Sequence, residues 1–279
     1  MKQFPFARAK QLEEDLWVLD EMGSFVFLVR GKEKVLVLDT SYGLSDIKGV
    51  IAELFGDMPA VLVNTHAHGD HNGGNSQFDT AFVGRFDEPN SHTVYDAAGK
   101  AGLVAFLGDR VKGYPFDENA WHPGASKHVV PLSEGDVIDI GGLCFTVIET
   151  PGHTLGSIAL FEPEKRWLFT GDTVLTWEVW GQLSNSAALR VYAQSLEKLA
   201  SYADKVDVVF PAHGSEEPPQ GYEQYRLPPS ILSVYAEGTR AIVEGKLQGR
   251  PYTEINPRFT EAEYVHFEVG GMAYDPKRI

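Results

Sequence analysis

Short apolar runs separated by turn residues open the chain. Leu16 to Leu19, Ser24 to Val29 and Lys34 to Leu38 read as strands, with Met22-Gly23 and Gly31-Lys32 as the turns of a meander. From Ser45 to Phe55 the period changes. Ile47, Val50, Ile51, Leu54 and Phe55 recur at three- and four-residue spacing, which predicts a helix with Ser45 as its cap. Ala60 to Val63 is a continuous apolar run, as in a strand buried on both faces, and it ends directly in Thr65-His66. Residues 85–127 break the pattern, with Pro89, Pro115 and Pro123 around one helical stretch, about Thr93 to Leu107, and read as an insertion. Its aromatic residues Tyr95, Phe106, Tyr114, Phe116 and Trp121 are assigned to packing ahead of a pocket lining.

The strand pattern then resumes in Val129 to Leu132, Asp136 to Ile140, Leu143 to Ile148, Ile158 to Phe161 and Arg166 to Phe169. A helix, Ala188 to Ala203, and an apolar strand, Val206 to Phe210, lead to Pro211-Ala212-His213-Gly214. Each half is thus a set of strands, a helix and a strand that ends in histidine, the pattern of an internal duplication. Ile231, Val234, Tyr235, Ile242 and Val243 mark a further amphipathic helix, and Tyr264 to Val269 a final strand. Residues 1–225 are expected to form one domain carrying the insertion, with 226–279 completing it.

Chemistry begins where these strands stop. In Asn64-Thr65-His66-Ala67-His68-Gly69-Asp70-His71, four metal-binding side chains fall within six positions. Alternation lets His66 and His68 reach one ion from an extended turn, while Asp70 and His71 swing toward a second. Gly69, Gly73 and Gly74 permit backbone angles and close approaches that a side chain would block. His153, Asp172 and His213 each follow an expected strand in a Gly- or Pro-bounded turn, as grafted functional groups do. Five imidazoles and two carboxylates suit two ions. His92, His122, His128 and His266 have no partners at ligand spacing and are assigned to surface or packing.

The His-x-His-x-Asp-His run, the Thr-Pro-Gly-His turn, the Gly-Asp turn and the Pro-Ala-His-Gly segment together resemble the metallo-β-lactamase superfamily, in order over about residues 15 to 215. The resemblance implies an α/β (α+β) fold, a four-layer αββα sandwich. It also implies that His66, His68 and His153 hold one ion, that Asp70, His71 and His213 hold the other, and that Asp172 bridges both. Two zinc ions are the expected cofactors, with manganese or iron as substitutes. Two cations sharing one oxygen supply hydroxide near neutral pH. The expected activity is therefore hydrolysis of a small-molecule ester, thioester, lactone or amide by a metal-bridging hydroxide, with Asp70 orienting it and accepting its proton. No Gly-x-Ser-x-Gly elbow offers a rival nucleophile.

Departures narrow the family. Dedicated β-lactamases carry Cys or Ser where Asp172 stands, flavodiiron proteins carry Glu where His68 stands, and quorum-signal lactonases commonly carry Tyr where Leu175 stands. The basic residues Lys246, Arg250, Lys277 and Arg278 match no glutathione-binding pattern of glyoxalase II. What remains is a dinuclear hydrolase of the glyoxalase II or lactonase-like branch. Its alternative is an iron-dependent oxidoreductase of the persulfide dioxygenase kind, opposed by the intact second set Asp70, His71 and His213. Trp177 and Trp180, just after Asp172, are equally readable as a pocket wall and as core.

Composition sets the remaining bounds. With 43% hydrophobic residues over 279 positions the chain can bury a large core, and a net charge of −15 opposes nucleic acid as a partner. Without a signal-like or membrane-length apolar run, the expectation is a cytoplasmic protein with a small-molecule substrate and no membrane partner. Oligomeric state has no signature in the sequence. The single cysteine, Cys144, lies in an apolar stretch and is expected to be buried and inert.

Overall fold

By its internal contacts the chain divides into two units, residues 1–132 with 138–144, and residues 133–137 with 145–279. The computed structural model describes residues 2–92, 95, 97–111, 116, 117, 121 and 123–279.

The first unit is built on an eight-stranded sheet in the order of the sequence. Its strands are β1 (Lys2–Gln3), β2 (Arg8–Glu13), β3 (Leu16–Glu21), β4 (Ser24–Arg30), β5 (Val35–Leu38), β6 (Ala60–Asn64), β7 (Thr80–Gly84) and β8 (His128–Leu132). The hairpins are antiparallel up to β5, after which β6, β7 and β8 add in parallel. Between β5 and β6 runs α1 (Ile47–Phe55), the crossover that a parallel pair requires. Ile47, Val50 and Ile51 bury the helix against Leu19, Val26, Leu28, Val37 and Leu62 of the sheet, each contributing about 2 kcal/mol. The cap is Asp46, whose side chain accepts from the Gly49 N–H at 2.9 Å, and not Ser45. Ser45 stands one residue too early to reach that donor. Its own N–H donates at 2.7 Å to the buried Glu21 carboxylate, which burial pushes above the usual acidic range.

The insertion's helix, α3 (Ala97–Leu107), starts later than the pattern predicts. Residues 93, 94 and 96, like Tyr114 and His122, lie outside those described. Leu103, Leu107 and Trp121 pack with Tyr42, Tyr95 and Phe116, in keeping with the packing reading, while Phe106 is 44% exposed.

The second unit carries most of a five-stranded sheet in the order β14-β12-β11-β10-β9 and all of a smaller sheet in the order β13-β17-β16-β15. The strands are β9 (Val137–Asp139), β10 (Cys144–Glu149), β11 (Ile158–Glu162), β12 (Trp167–Gly171), β13 (Glu178–Gly181), β14 (Val208–Pro211), β15 (Arg250–Pro251), β16 (Glu263–His266) and β17 (Gly271–Tyr274). Tyr192, Leu196 and Leu199 of α4 (Leu189–Ala200) pack with Leu232, Tyr235 and Ala236 of α5 (Ser230–Val243), and Ile148, Ala159 and Leu168 of the sheet join the same core. Here too a strand returns in parallel: β14 pairs β12 after the crossover that contains α4. Counted over both units, two helix layers and two principal sheet layers are present, the inventory of an αββα fold.

A further expectation, besides the Ser45 cap, fails. Cys144 is exposed, because β10 begins there and alternation turns Phe145 and Val147 inward while Cys144 and Thr146 point the other way. No helix among the described residues is long and apolar enough to cross a membrane.

Candidate metal centre

In the first unit the ligand run leaves the end of β6 and turns into the four-residue helix α2 (Gly69–Asn72). A helix this short is not self-supporting, so side chains from the sheet must hold its unpaired carbonyls. Ser24 Oγ donates to the Asp70 carbonyl at 2.6 Å, and Asn64 Nδ2 donates to that of His71 at 2.9 Å. Asn64 also accepts from Asn75 Nδ2 at 2.7 Å, and the turn before the helix is tied by the Ala67 N–H donating to Asp87 Oδ2 at 2.9 Å.

Gly73 follows α2, and there a Cβ would meet the Tyr42 and Ser41 backbone, which cannot move aside as a flexible side chain would. Gly73→Ala is expected to cost about 3 kcal/mol in urea unfolding, an overpacking penalty at the upper end of the usual range.

Proton bookkeeping fixes the ring orientations. Asp39, at the end of β5, is buried, and its carboxylate accepts from Thr65 N (2.7 Å) and Thr65 Oγ1 (2.8 Å) and faces His71 Nδ1 at 3.0 Å. A carboxylate only accepts, so His71 carries its proton on Nδ1 and keeps a lone pair on Nε2. Thr65 Oγ1 has spent its one proton on Asp39. It must therefore accept from His66 Nδ1 at 3.0 Å, which leaves the His66 lone pair on Nε2 as well. That Nε2 lies 3.0 Å from His68 Nδ1, and the His66 and His71 rings stand 4.0 Å apart. Asp70 Oδ1 is 3.8 Å from His71 Nε2. All four side chains of the run are thus gathered, His66 and His71 buried and His68 and Asp70 half-buried.

The second unit assembles its three side chains from three strand ends. His153 follows β10, Asp172 follows β12 at Gly171, whose φ of 55° lies in the left-handed region that favours glycine, and His213 follows β14. The His153 turn is pinned by Ala187 N donating to the Gly152 carbonyl (2.9 Å) and Ser186 Oγ donating to that of His153 (2.7 Å). His153 Nδ1 faces the Trp180 carbonyl at 2.8 Å, and a carbonyl too only accepts, so Nε2 again bears the lone pair. Asp172 Oδ2 stands 3.6 Å from His153 Nε2 and 3.5 Å from His213 Nε2. These separations are long for hydrogen bonds. Two donor atoms about 2.1 Å from one ion at the tetrahedral angle would stand about 3.4 Å apart. Rings whose outer nitrogen is tied to a carbonyl or carboxylate while the inner lone pair faces other donors have the support that metal-binding histidines need. The residues fit a divalent cation.

A family model described as the metallo-beta-lactamase superfamily matches residues 19–213, which span every one of these side chains. The chain belongs to the metallo-beta-lactamase superfamily. As a member it is 33% identical over 211 residues to the acyl-coenzyme A thioesterase MBLAC2 of Gallus gallus, covering 67% of this chain and 71% of that one. It is 32% identical over 197 residues to the hydroxyacylglutathione hydrolase of Rhodospirillum rubrum, covering 70% of this chain and 64% of that one. Among solved structures, a metallo-beta-lactamase from Pontibacter korlensis shares 18% identity with a TM-score of 0.58, over 84% of this chain and 99% of that one. That likeness is one of fold, and it agrees with the expected αββα class.

Asp39 is the residue that reading the sequence missed. Its signal was available: it stands directly after a fully apolar run, Val35 to Leu38, as the His66 segment follows Ala60 to Val63. Trp177 is partly buried against the core with its ring 6.0 Å from His213, and Trp180 is 36% exposed. Of the other histidines, His92 pairs with Glu88 at 2.6 Å, His128 is exposed and His266 Nδ1 lies 3.0 Å from the Tyr264 hydroxyl.

Proposed function

We propose that this protein is a dinuclear zinc-dependent thioesterase that cleaves a small acyl group from a thiol carrier. The observation that carries the reading is the enforced tautomer of His66, His71 and His153, each with Nδ1 tied back and Nε2 left as a donor. The narrowing to thioesters rests on the two groups of curated relatives, both named for hydrolysis of an acyl group on a thiol. In this reading His66, His68 and His153 hold one ion, Asp70, His71 and His213 hold the other, and Asp172 serves both. When bound, such ions make hydroxide available near neutral pH and polarise the acyl oxygen. The chain's own residues then have defined tasks. Asp39, through His71 directly and His66 by way of Thr65, holds both rings in the donor tautomer. The half-buried Asp70 carboxylate would orient the water nucleophile and take up its proton on the oxygen not turned to the ion. The domain reading stands beside this: residues 1–225 as the catalytic domain with 226–279 completing it.

The test pairs metal analysis with thiol release. Protein purified without added metal should carry about two zinc ions per chain and hydrolyse acyl-coenzyme A or acyl-glutathione, with activity removed by a chelator and restored by zinc. A chain charge of −15 opposes a polyphosphate carrier, so rates on coenzyme A thioesters should rise with ionic strength more than those on glutathione thioesters. One iron per chain with persulfide oxidation would replace this reading with the oxidoreductase one, and a folded protein that binds no metal would end both.

A further inference from the structure

The carbonyl that fixes His153 belongs to β13, a four-residue strand at the edge of the small sheet. Among the described residues it is laddered to β17 alone, with Trp180 opposite Ala273. A short edge strand is the least constrained part of a sheet, and the Trp180 ring is only partly buried, so close packing does not hold it. Hydrogen bonds do. The indole Nε1–H donates to the Tyr252 hydroxyl at 2.9 Å, and that hydroxyl donates its own proton to Glu178 Oε1 at 3.0 Å. Glu178 is on the same strand as Trp180. The Tyr252 hydroxyl therefore bridges two side chains of β13, and burial keeps the phenol protonated so that it can donate. Phe259 completes the clasp, with its ring 5.1 Å from Trp180, edge to face, and 5.7 Å from Tyr252, stacked. Tyr252 and Phe259 both lie beyond residue 213, where the family match ends.

We infer that Tyr252 is a positioning residue for His153: its hydroxyl clasps the Trp180 and Glu178 side chains of β13 and thereby holds the Trp180 carbonyl that locks the His153 ring with Nε2 as donor. This rests on the metal reading above for its consequence, though not for its geometry. A segment outside the matched family region would then tune one ion of the pair and leave the other alone.

The experiment uses the full chain with Tyr252→Phe, which keeps the buried ring and removes only the hydroxyl, and Trp180→Phe, which keeps an aromatic ring and removes the N–H. Two readouts are taken. Nitrogen-15 shifts of the His153 imidazole in metal-free protein report the tautomer, and competition with a chromophoric chelator reports the affinity for each zinc. The expected result is a single Nδ1–H tautomer in the parent and a mixture in both variants, with one zinc weakened about tenfold and the other unchanged. Combining the two substitutions should be no worse than either alone, since they break one linkage. Thermal unfolding of the metal-free proteins verifies that the variants fold, and Glu178→Gln, which keeps an oxygen to accept from Tyr252, should retain the parent's tautomer. A parent-like tautomer in both variants overturns the inference. So does equal weakening of both ions, which is the mark of general loosening. If the parent binds no zinc, the metal reading fails while the tautomer readout still decides the clasp.

Discussion

His66→Ala is expected to lower kcat/KM on a thioester substrate about a thousandfold or more and to leave fewer than two zinc ions per chain. The ring is buried and its Nε2 is kept as a donor by the path through Thr65 to Asp39, so no neighbouring side chain can take its place. Electrophilic and nucleophile-generating metal chemistry is worth several kcal/mol of barrier, and each 1.4 kcal/mol is about tenfold in rate. The check is steady-state kinetics beside elemental analysis, with unfolding of the metal-free variant showing whether the fold persists. A variant that keeps both zinc and rate would remove His66 from the centre.

The second large effect is one of stability. Asp39→Ala should destabilise the metal-free protein by about 4 kcal/mol, because it strands Thr65 N, Thr65 Oγ1 and His71 Nδ1 in the interior without an acceptor. The backbone adds to the loss. Asp39 sits at φ 65°, a left-handed conformation that aspartate and asparagine tolerate better than alanine. Asp39→Asn keeps one oxygen and that tolerance, and should cost only about 1–2 kcal/mol while still weakening zinc about tenfold or more, since an amide supports the His71 tautomer less strongly than a carboxylate. Urea unfolding of the metal-free forms and chelator competition of the loaded ones separate the two effects. Equal stability of the alanine variant and its parent would mean that Asp39 is not the hub the hydrogen bonds describe.

Patterns of period two and of three to four residues located the apolar strands and helices of both units, because one face of each is buried and the burial writes itself into the spacing. Elements that bury little wrote nothing legible. β2 (Arg8–Glu13) buries only Ala9 and is otherwise mostly polar, β7 (Thr80–Gly84) is short and two of its three buried residues, Ala81 and Gly84, are small, and β15 is two residues long. At the site, the seven side chains stood out because imidazole and carboxylate crowd the turns after strands. Asp39 did not, since one aspartate after an apolar run looks like any strand exit, and its task depends on Thr65 and His71, which the fold brings to it from 26 and 32 positions away. Cys144 and the helix cap each went astray by one position: Cys144 falls on the face opposite Phe145 and Val147 in a two-residue alternation, and Asp46 rather than Ser45 reaches the Gly49 N–H.

The two donor sets differ in how far apart the chain keeps them. His66, His68, Asp70 and His71 are neighbours along the backbone, and they come together once β4, β5 and β6 are in place to hold one strand-to-helix turn. His153, Asp172 and His213 meet only after β10, β12 and β14 have found their places in one sheet. Since a protein is synthesised from its N-terminus and domains tend to fold as they emerge, the first set is complete before any member of the second has been made. The ribosome thus hands over a chain whose local donors can already be waiting for a divalent metal ion while the distant ones have yet to be translated.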